Sequence, residues 1–338
     1  MRYEVTLIPG DGIGPEISDA TINAVEATGV TLTWDRQLGG MAAVAATGTP
    51  MPEATLESIR HRRVALKGPL MTPSGPGYRS VNVALRREFE LFANVRPAKT
   101  ILPGRYDNID IVLVRENLEG FYTGIEYWIA TKDDPHAAGV TTGVTTRYGC
   151  ERIVRYAFEY ALRTGRKKVT IVHKANILKM VSGLFLEVGH EVAAEYQGRV
   201  ESTDMIVDNC AMQLVVRPEQ FDVIVTTNLF GDILSDEISG LVGGLGLAPG
   251  ANIGTTASIF EAVHGSAPDI AGTGLANPSA LMLAAAMMLE HLGEAEAGGR
   301  LRRAIVDTIV KDQVRTKDLG GHVTTQQFGD RVAARARG

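Results

Sequence analysis

The feature that most constrains this chain is an alternation. Short apolar, β-branched runs recur along it, and each is followed by a stretch with helical spacing. Tyr3–Ile8 reads as a strand and Pro15–Ala27 as a helix, with Pro15 suited to its first turn. Val64–Leu66, Ile109–Val114, Val169–Val172 and Phe221–Thr227 read as compact buried strands. In Glu151–Thr164 the residues Ile153, Ala157, Phe158 and Ala161 recur on one helical face, and Gly165 is a natural stop. Alternation of this kind predicts an α/β protein with a largely parallel sheet. A length of 338 residues suggests two domains.

Three stretches break the rhythm. A loop rich in Gly and Pro follows Val64–Leu66, where Gly68, Gly75 and Gly77 permit irregular backbone. Thr123–Tyr148 is rich in Gly and Thr and predicts an arm or irregular β structure. The glycine-rich Leu241–Thr256 predicts a loop or hinge. No internal repeat or low-complexity linker is present.

Composition narrows the functional classes. A formal charge of −5 offers no electrostatic reason for binding nucleic acid or an anionic membrane. Two cysteines, Cys150 and Cys210, make no disulfide framework and fit a reducing compartment. The opening MRYEVTLIPG reads as a strand and not as a secretory signal, and the most apolar stretch, Ala280–Leu289, is too short to span a bilayer. A cytoplasmic chain acting on a small molecule is expected.

GDGIG at Gly10–Gly14 sits between a strand and a helix, where a dinucleotide-binding glycine loop belongs. Its spacing is G-x-G-x-G, however, and Pro15 follows at once, so a tight strand-to-helix turn is the plainer reading and no Rossmann domain is assigned. Asp232 and Asp236 lie four apart beyond an apolar strand, so on a helix their carboxylates share one face. Such a pair suits a hard divalent cation such as Mg²⁺ or Mn²⁺, with Asp208 as a third oxygen donor. It equally suits a solvated helix face, and Asp208 alone equally suits a cap. Arg86 and Arg96 flank an apolar helical stretch, and Arg115 ends the strand Ile109–Val114. Guanidinium forks fit carboxylates. Singly each arginine reads as an ordinary ion pair; converging, the three would suit a polycarboxylic acid.

Together these segments resemble the metal-dependent β-decarboxylating dehydrogenases, the family of isocitrate, 3-isopropylmalate, homoisocitrate and tartrate dehydrogenases. The resemblance runs from LIPGDGIGPE at Leu7–Glu16 to RTKDLGGHVTTQQF at Arg315–Phe328. Between them stand, in the family's order, LFANVRPAK, VRENLEGFYTGIE, VHKANILK, IVDNCAMQLV, NLFGDILSD and EAVHGSAPDIAGTGLANP. The resemblance implies the family's own two-domain α/β fold, distinct from the Rossmann fold. Residues 1–93 and 244–338 would form a large cofactor-binding domain. Residues 94–243 would form a small domain carrying the dimer interface and a clasp at about 123–148.

The resemblance also implies roles. Ser80, Asn82, Arg86, Arg96 and Arg115 would bind substrate. Tyr122 would donate a proton, and Lys174 would act as base with Asp208. Asp208, Asp232 and Asp236 would hold Mg²⁺ or Mn²⁺, with Lys174 and Asp208 reaching into the neighbouring subunit's site, so that the active site exists only in a homodimer or a dimer of dimers. A lysine serves as a base only where burial and a nearby cation depress its pKa. Ile13, Leu70, Thr72, Glu261, His264, Gly265, Ser266, Ala267, Asp269, Ile270 and Asn277 would line the cofactor site, although Asn277 alone could be a helix cap. Asp269 can accept from both adenosine ribose hydroxyls and would repel a 2′-phosphate, which implies NAD.

Ser80 and Asn82 match isocitrate-type relatives, where isopropylmalate-type relatives carry apolar leucines. An apolar substrate tail would leave both polar groups buried and unpaired, at roughly 1–3 kcal/mol each. Isocitrate is therefore the expected substrate and homoisocitrate, longer by one methylene, the runner-up. Ser80 also suits a helix N-cap. A non-catalytic regulatory subunit is the alternative from a different class, and the intact set Tyr122, Lys174, Asp208, Asp232 and Asp236 argues against it.

Overall fold

The computed structural model describes residues 2–72, 78, 80–102, 104 and 106–338; Gly75 and Gly77 lie outside them. The chain begins with β1 (Arg2–Ile8), α1 (Gly14–Glu26), β2 (Thr31–Arg36), α2 (Met41–Thr47), α3 (Glu53–Arg62), β3 (Val64–Lys67) and α4 (Val81–Glu88). It passes through β4 (Ala93–Lys99) to β5 (Asp110–Glu116), β6 (Gly120–Ile129), β7 (Ala138–Val144), α5 (Arg147–Thr164), β8 (Lys168–His173) and α6 (Val181–Glu195). Next come β9 (Glu201–Ile206), α7 (Val207–Val216), β10 (Val223–Thr226) and α8 (Asn228–Leu241). It ends with β11 (Pro249–Ile253), β12 (Ser258–Ala262), α9 (Ser279–His291), α10 (Ala295–Val310) and α11 (Thr325–Ala336).

Two compact units result. The first comprises Met1–Leu91, Arg96–Ile109 and Ser239–Gly338, and the second Phe92–Val95 and Asp110–Ile238. These limits differ from those expected from sequence: residues 96–109 and 239–243 group with the first unit, and residues 92–93 with the second.

In the first unit the strands stand in the order β2-β1-β3-β12-β11. β1 is parallel to β2 and β3, and β12 is parallel to β3. In the second unit the order is β5-β10-β8-β9, and each neighbouring pair is parallel. Parallel neighbours cannot be joined by a tight hairpin, so the chain must cross over between them, mostly by helices. The loops leaving the carboxyl ends of these strands are thereby gathered at one edge, where ligand sites of α/β sheets form.

Leu241–Thr256 is not the loop expected from its glycines. α8 runs on to Leu241, and β11 pairs antiparallel with β12 over Pro249–Ile253. Pro249 opens the strand, a position where its missing N–H costs no ladder bond, and the partner that organises the segment is β12, which a local pattern does not reveal. Thr123–Tyr148 contributes an antiparallel ribbon of β6 and β7, with a register irregularity between Gly120 and Ile125.

The core of the first unit gathers Ile8, Leu56, Ile59, Ala65, Val81, Leu85, Phe89 and Ile259. Val81, Leu85 and Phe89 are the buried stripe of α4 and its C-cap, so burying that stripe fixes where Asn82 and Arg86 lie. α9 is buried almost all round, which explains its unbroken apolar sequence. No helix among the described residues is long and apolar enough to cross a membrane. Burial pushes both free cysteine thiols, Cys150 and Cys210, up to about 12, so neither is a reactive nucleophile.

GDGIG forms a tight turn in which backbone lies on backbone. Gly12 has φ +59°, and a Cβ there would sit 1.9 Å from the Ser266 carbonyl oxygen, while the next residue, Ile13, donates its N–H to that same oxygen at 2.9 Å. Gly12→Ala should therefore destabilise the protein by more than about 1 kcal/mol. The measurement is a denaturant midpoint at unchanged slope; a midpoint equal to the parent's would refute the close packing.

Candidate active site

The second unit assembles its polar residues at the carboxyl ends of β5, β8, β9 and β10. Arg115 on β5 is opposite Thr226 of β10, and His173, the last residue of β8, is opposite Ile206 of β9. Lys174, Asp208 and Asn228 follow directly.

Arg115 has no exposure to water. Its Nε and Nη2 donate to Asn228 Oδ1 at 3.0 and 2.7 Å, and its Nη1 donates to Asp232. Asn228 is itself oriented by donating Nδ2–H to the Glu119 carbonyl at 3.1 Å. Tyr122 donates its hydroxyl to Asp232 Oδ2 at 2.5 Å, and its ring lies 5.2 Å from the Arg115 guanidinium carbon. A Cβ at Gly231 would stand 2.6 Å from Arg115 Cγ, so only glycine leaves room for this side chain. Arg115, Tyr122 and Asp232 are thus brought together. Asp236, one turn on and exposed, shares the helix with Asp232.

Lys174 and Asp208 form a second group. Lys174 Nζ donates to Asp208 Oδ1, and this hydrogen bond, with the lysine's charge, holds the Asp208 carboxyl below its ordinary range. The Lys174 backbone N–H is fixed by Ser182 Oγ at 2.7 Å. Among the described residues no three His, Cys, Asp or Glu side chains stand together as a metal cage. Asp208, Asp232 and Asp236 are therefore not united within one chain. As a donor set their carboxylate oxygens do fit a hard divalent cation.

In the first unit Arg86 belongs to a buried charge cluster. Lys67 Nζ lies 2.8 Å from Glu261 Oε2 and donates to the Gly68 carbonyl at 2.9 Å. Asn252 Nδ2 donates to Glu261 Oε1 at 2.7 Å, and Arg86 Nη2 lies 3.9 Å from that oxygen. Burial alone would push Glu261 up, but Lys67 and Arg86 outweigh it and hold this carboxyl at about 2. Asn82 lines the same small void with Lys67, Arg86 and Glu261, and its Oδ1 is buried with no partner among the described residues. Ser80 caps α4, accepting weakly from Val83 N at 3.5 Å. Arg96 is half-buried on β4.

A separate cavity of about 700 Å³ opens beside the GDGIG turn. Ile13, His264, Gly265, Ala267, Ile270 and Asn277, all expected at the cofactor, line it together with Gly246, Leu275, Ala276, Lys317 and Asp318. His264 Nδ1 donates to the Gly265 carbonyl at 2.9 Å, which leaves Nε2 as an acceptor, buried and without a partner among the described residues. Burial pushes this imidazole below its ordinary value and so favours the neutral form. An adenine amino group is a donor that such a nitrogen lacks, so the cavity fits the adenosine end of a nucleotide. Asn277 is not the N-cap of α9, which is Pro278, but stands one residue before it: its Oδ1 accepts Ser279 N at 2.9 Å, while its Nδ2 donates to Asp318 at 2.9 Å.

The remaining expected cofactor residues are placed differently. Glu261 faces Lys67 and Asn252, not this cavity, because two cations nearby give its charge a better site. Leu70 is buried in the core and Thr72 is exposed. Ser266 is buried and offers its carbonyl to Ile13, and Asp269 is exposed in the turn between Ala267 and Ile270. Asn228, Lys317 and Asp318 stand inside the blocks NLFGDILSD and RTKDLGGHVTTQQF, but neither those blocks nor the run around Lys67 says what these side chains touch.

A family model described as isocitrate/isopropylmalate dehydrogenase matches residues 4–332. The chain belongs to this family, and it is an enzyme, a decarboxylating dehydrogenase. It is 56% identical to a solved isocitrate dehydrogenase from Methylococcus capsulatus, with a TM-score of 0.96 over 99% of this chain and 100% of that one. It is 48% identical to the isocitrate/homoisocitrate dehydrogenase of Thermus thermophilus, covering 98% of both. It is 46% identical to the mitochondrial NAD isocitrate dehydrogenase subunit 2 of Schizosaccharomyces pombe, covering 99% of this chain and 88% of that one.

The Glu261 cluster carries a prediction. Because its folded pKa lies below the unfolded value of about 4.5, its contribution is complete above that value and is lost as pH falls towards about 2. Glu261→Gln should destabilise the protein by about 3–5 kcal/mol at neutral pH by leaving Lys67 uncompensated, and should shrink the stability lost between pH 5 and 2. Denaturant unfolding of both proteins across that range is the check.

Proposed function

We propose that this protein catalyses NAD-dependent oxidative decarboxylation of isocitrate to 2-oxoglutarate and CO₂ with Mg²⁺ or Mn²⁺, as a homodimer in a reducing, cytoplasmic compartment. The observation that carries the substrate is Asn82. Its buried Oδ1 has no hydrogen-bond partner among the described residues and lies in the same void as Arg86. The amide's two ends exchange by rotation, so it can offer N–H to a third carboxylate. An isopropyl group would leave it unpaired.

When bound, NAD takes up the hydride and the divalent cation acts as a Lewis acid on the substrate oxygen. The protein's own residues do the rest. Arg86, Arg96 and Arg115 bind the carboxylates and orient the substrate. Lys174, with Asp208, takes the hydroxyl proton. Tyr122 gives a proton to the carbon left by CO₂. Asp232 and Asp236 would hold the cation, and Asp208 of a second copy would complete the set, which is why a dimer is required. Exposed Ile177, Met180, Met212, Val216 and Ile233 support a face that a second copy covers. The neutral His264 acceptor supports the adenosine site, and the acid at Asp269 supports NAD over NADP.

Homoisocitrate is the second reading, favoured by the likeness to the Thermus enzyme named for both acids. Measuring kcat/KM for isocitrate, homoisocitrate and 3-isopropylmalate, each with NAD and NADP at saturating Mn²⁺, decides between them. We expect isocitrate with NAD to lead; a lead for homoisocitrate would mean that Ser80 and Asn82 do not set chain length. Lys174→Met should abolish turnover while sedimentation still reports a dimer, and near-normal turnover would exclude Lys174 as the base.

A further inference from the structure

We propose that His173 is a positioning residue for Lys174, held in a single tautomer by Asp204; the inference rests on Lys174 being the base. His173 is buried at the end of β8, its side chain 6% exposed. Its Nδ1 receives the backbone N–H of Ala175 at 3.1 Å. An amide N–H can only donate, so Nδ1 is bare and the ring proton resides on Nε2. Nε2 faces Asp204 Oδ2 at 3.3 Å, and a carboxylate there accepts that proton's hydrogen bond. Asp204 lies on the neighbouring β9, and its other oxygen faces Nε2 of His190, on α6, at 3.2 Å. Asp204 is thus held from both sides and bridges the two imidazoles.

The consequence falls on Lys174. Its own N–H goes to Ser182, and its carbonyl accepts from Ile177 and Leu178 at 3.1 and 2.9 Å. The peptide on its carboxyl side is pinned by His173 through Ala175 N–H. The other tautomer would set Nδ1–H against that N–H, two donors face to face, and would turn the peptide that aims Lys174 at Asp208. Among the described residues Asp204 faces His173 Nε2, and His190 reaches the other oxygen of the same carboxylate. No local motif points to this arrangement, because Asp204 and His173 meet only through the β8–β9 register.

The test uses two isosteric variants. Asparagine places its oxygen near the site of Nδ1, so His173→Asn keeps the acceptor for Ala175. Glutamine places its amide near Nε2, so His173→Gln keeps the partner of Asp204 and loses that acceptor. With the dimer, isocitrate, NAD and Mn²⁺, kcat of His173→Gln should fall about 10- to 100-fold with KM little changed, whereas His173→Asn recovers most of kcat. Asp204→Ala should move kcat in the same direction as His173→Gln, and serves if the latter does not fold. Equal kcat in the Asn and Gln variants, or losses that follow the thermal midpoint, would overturn the proposal. Lys174→Met separates the two layers: if it retains turnover, the base assignment and this positioning role fall together. If it is inactive while His173→Gln and Asp204→Ala are both normal, the positioning role alone is wrong.

Discussion

A guanidinium shut away from water needs acceptors on its fork, and Arg115 is that guanidinium here. Its partners, Asn228 and Asp232, come from the helix after β10, and Tyr122 comes from the ribbon after β5. Removing the half-exposed carboxylate would strand a guanidinium that water does not reach. The same interaction therefore fixes an arginine, a carboxylate and a phenol in one place. Gly231 is the steric side of that constraint, and a parallel β5–β10 pair is its topological side.

The first unit solves a different problem. Its nucleotide-sized cavity is shaped by backbone lying on backbone, Gly12 against Ser266, and is equipped with an imidazole nitrogen that no described residue pairs. Beside α4, three charges share one buried cluster: Lys67 and Arg86 against Glu261. Two cations against one anion leave a net positive charge in a desolvated place, which suits the binding of a carboxylate. Asn82 adds a buried oxygen that no described residue pairs.

Much of the fold was legible along the chain. The runs at Tyr3–Ile8, Val64–Leu66 and Val169–Val172 became β1, β3 and β8 because a buried parallel strand needs continuous apolar, β-branched sequence. Gly165 ends α5 in the left-handed region, at φ +73°, as its position suggested. The glycines of Leu241–Thr256 misled because they permit a loop without requiring one, and pairing with β12 decided otherwise. Glu261 shows what a motif leaves open. The resemblance placed it with the cofactor, and the tertiary structure adds a counter-ion, Lys67, that no neighbouring residue announces.

By itself the sequence determined the class of chain, the alternation of strand and helix, and the residue types available for chemistry, because periodicity and motif spacing are local. Which of those residues meet was decided only in three dimensions. Asp232 with Arg115 and Tyr122, Asp204 with His173, and Glu261 with Lys67 are partners far apart in sequence. Strand register and the burial of charge select them, and both depend on the whole sheet being formed.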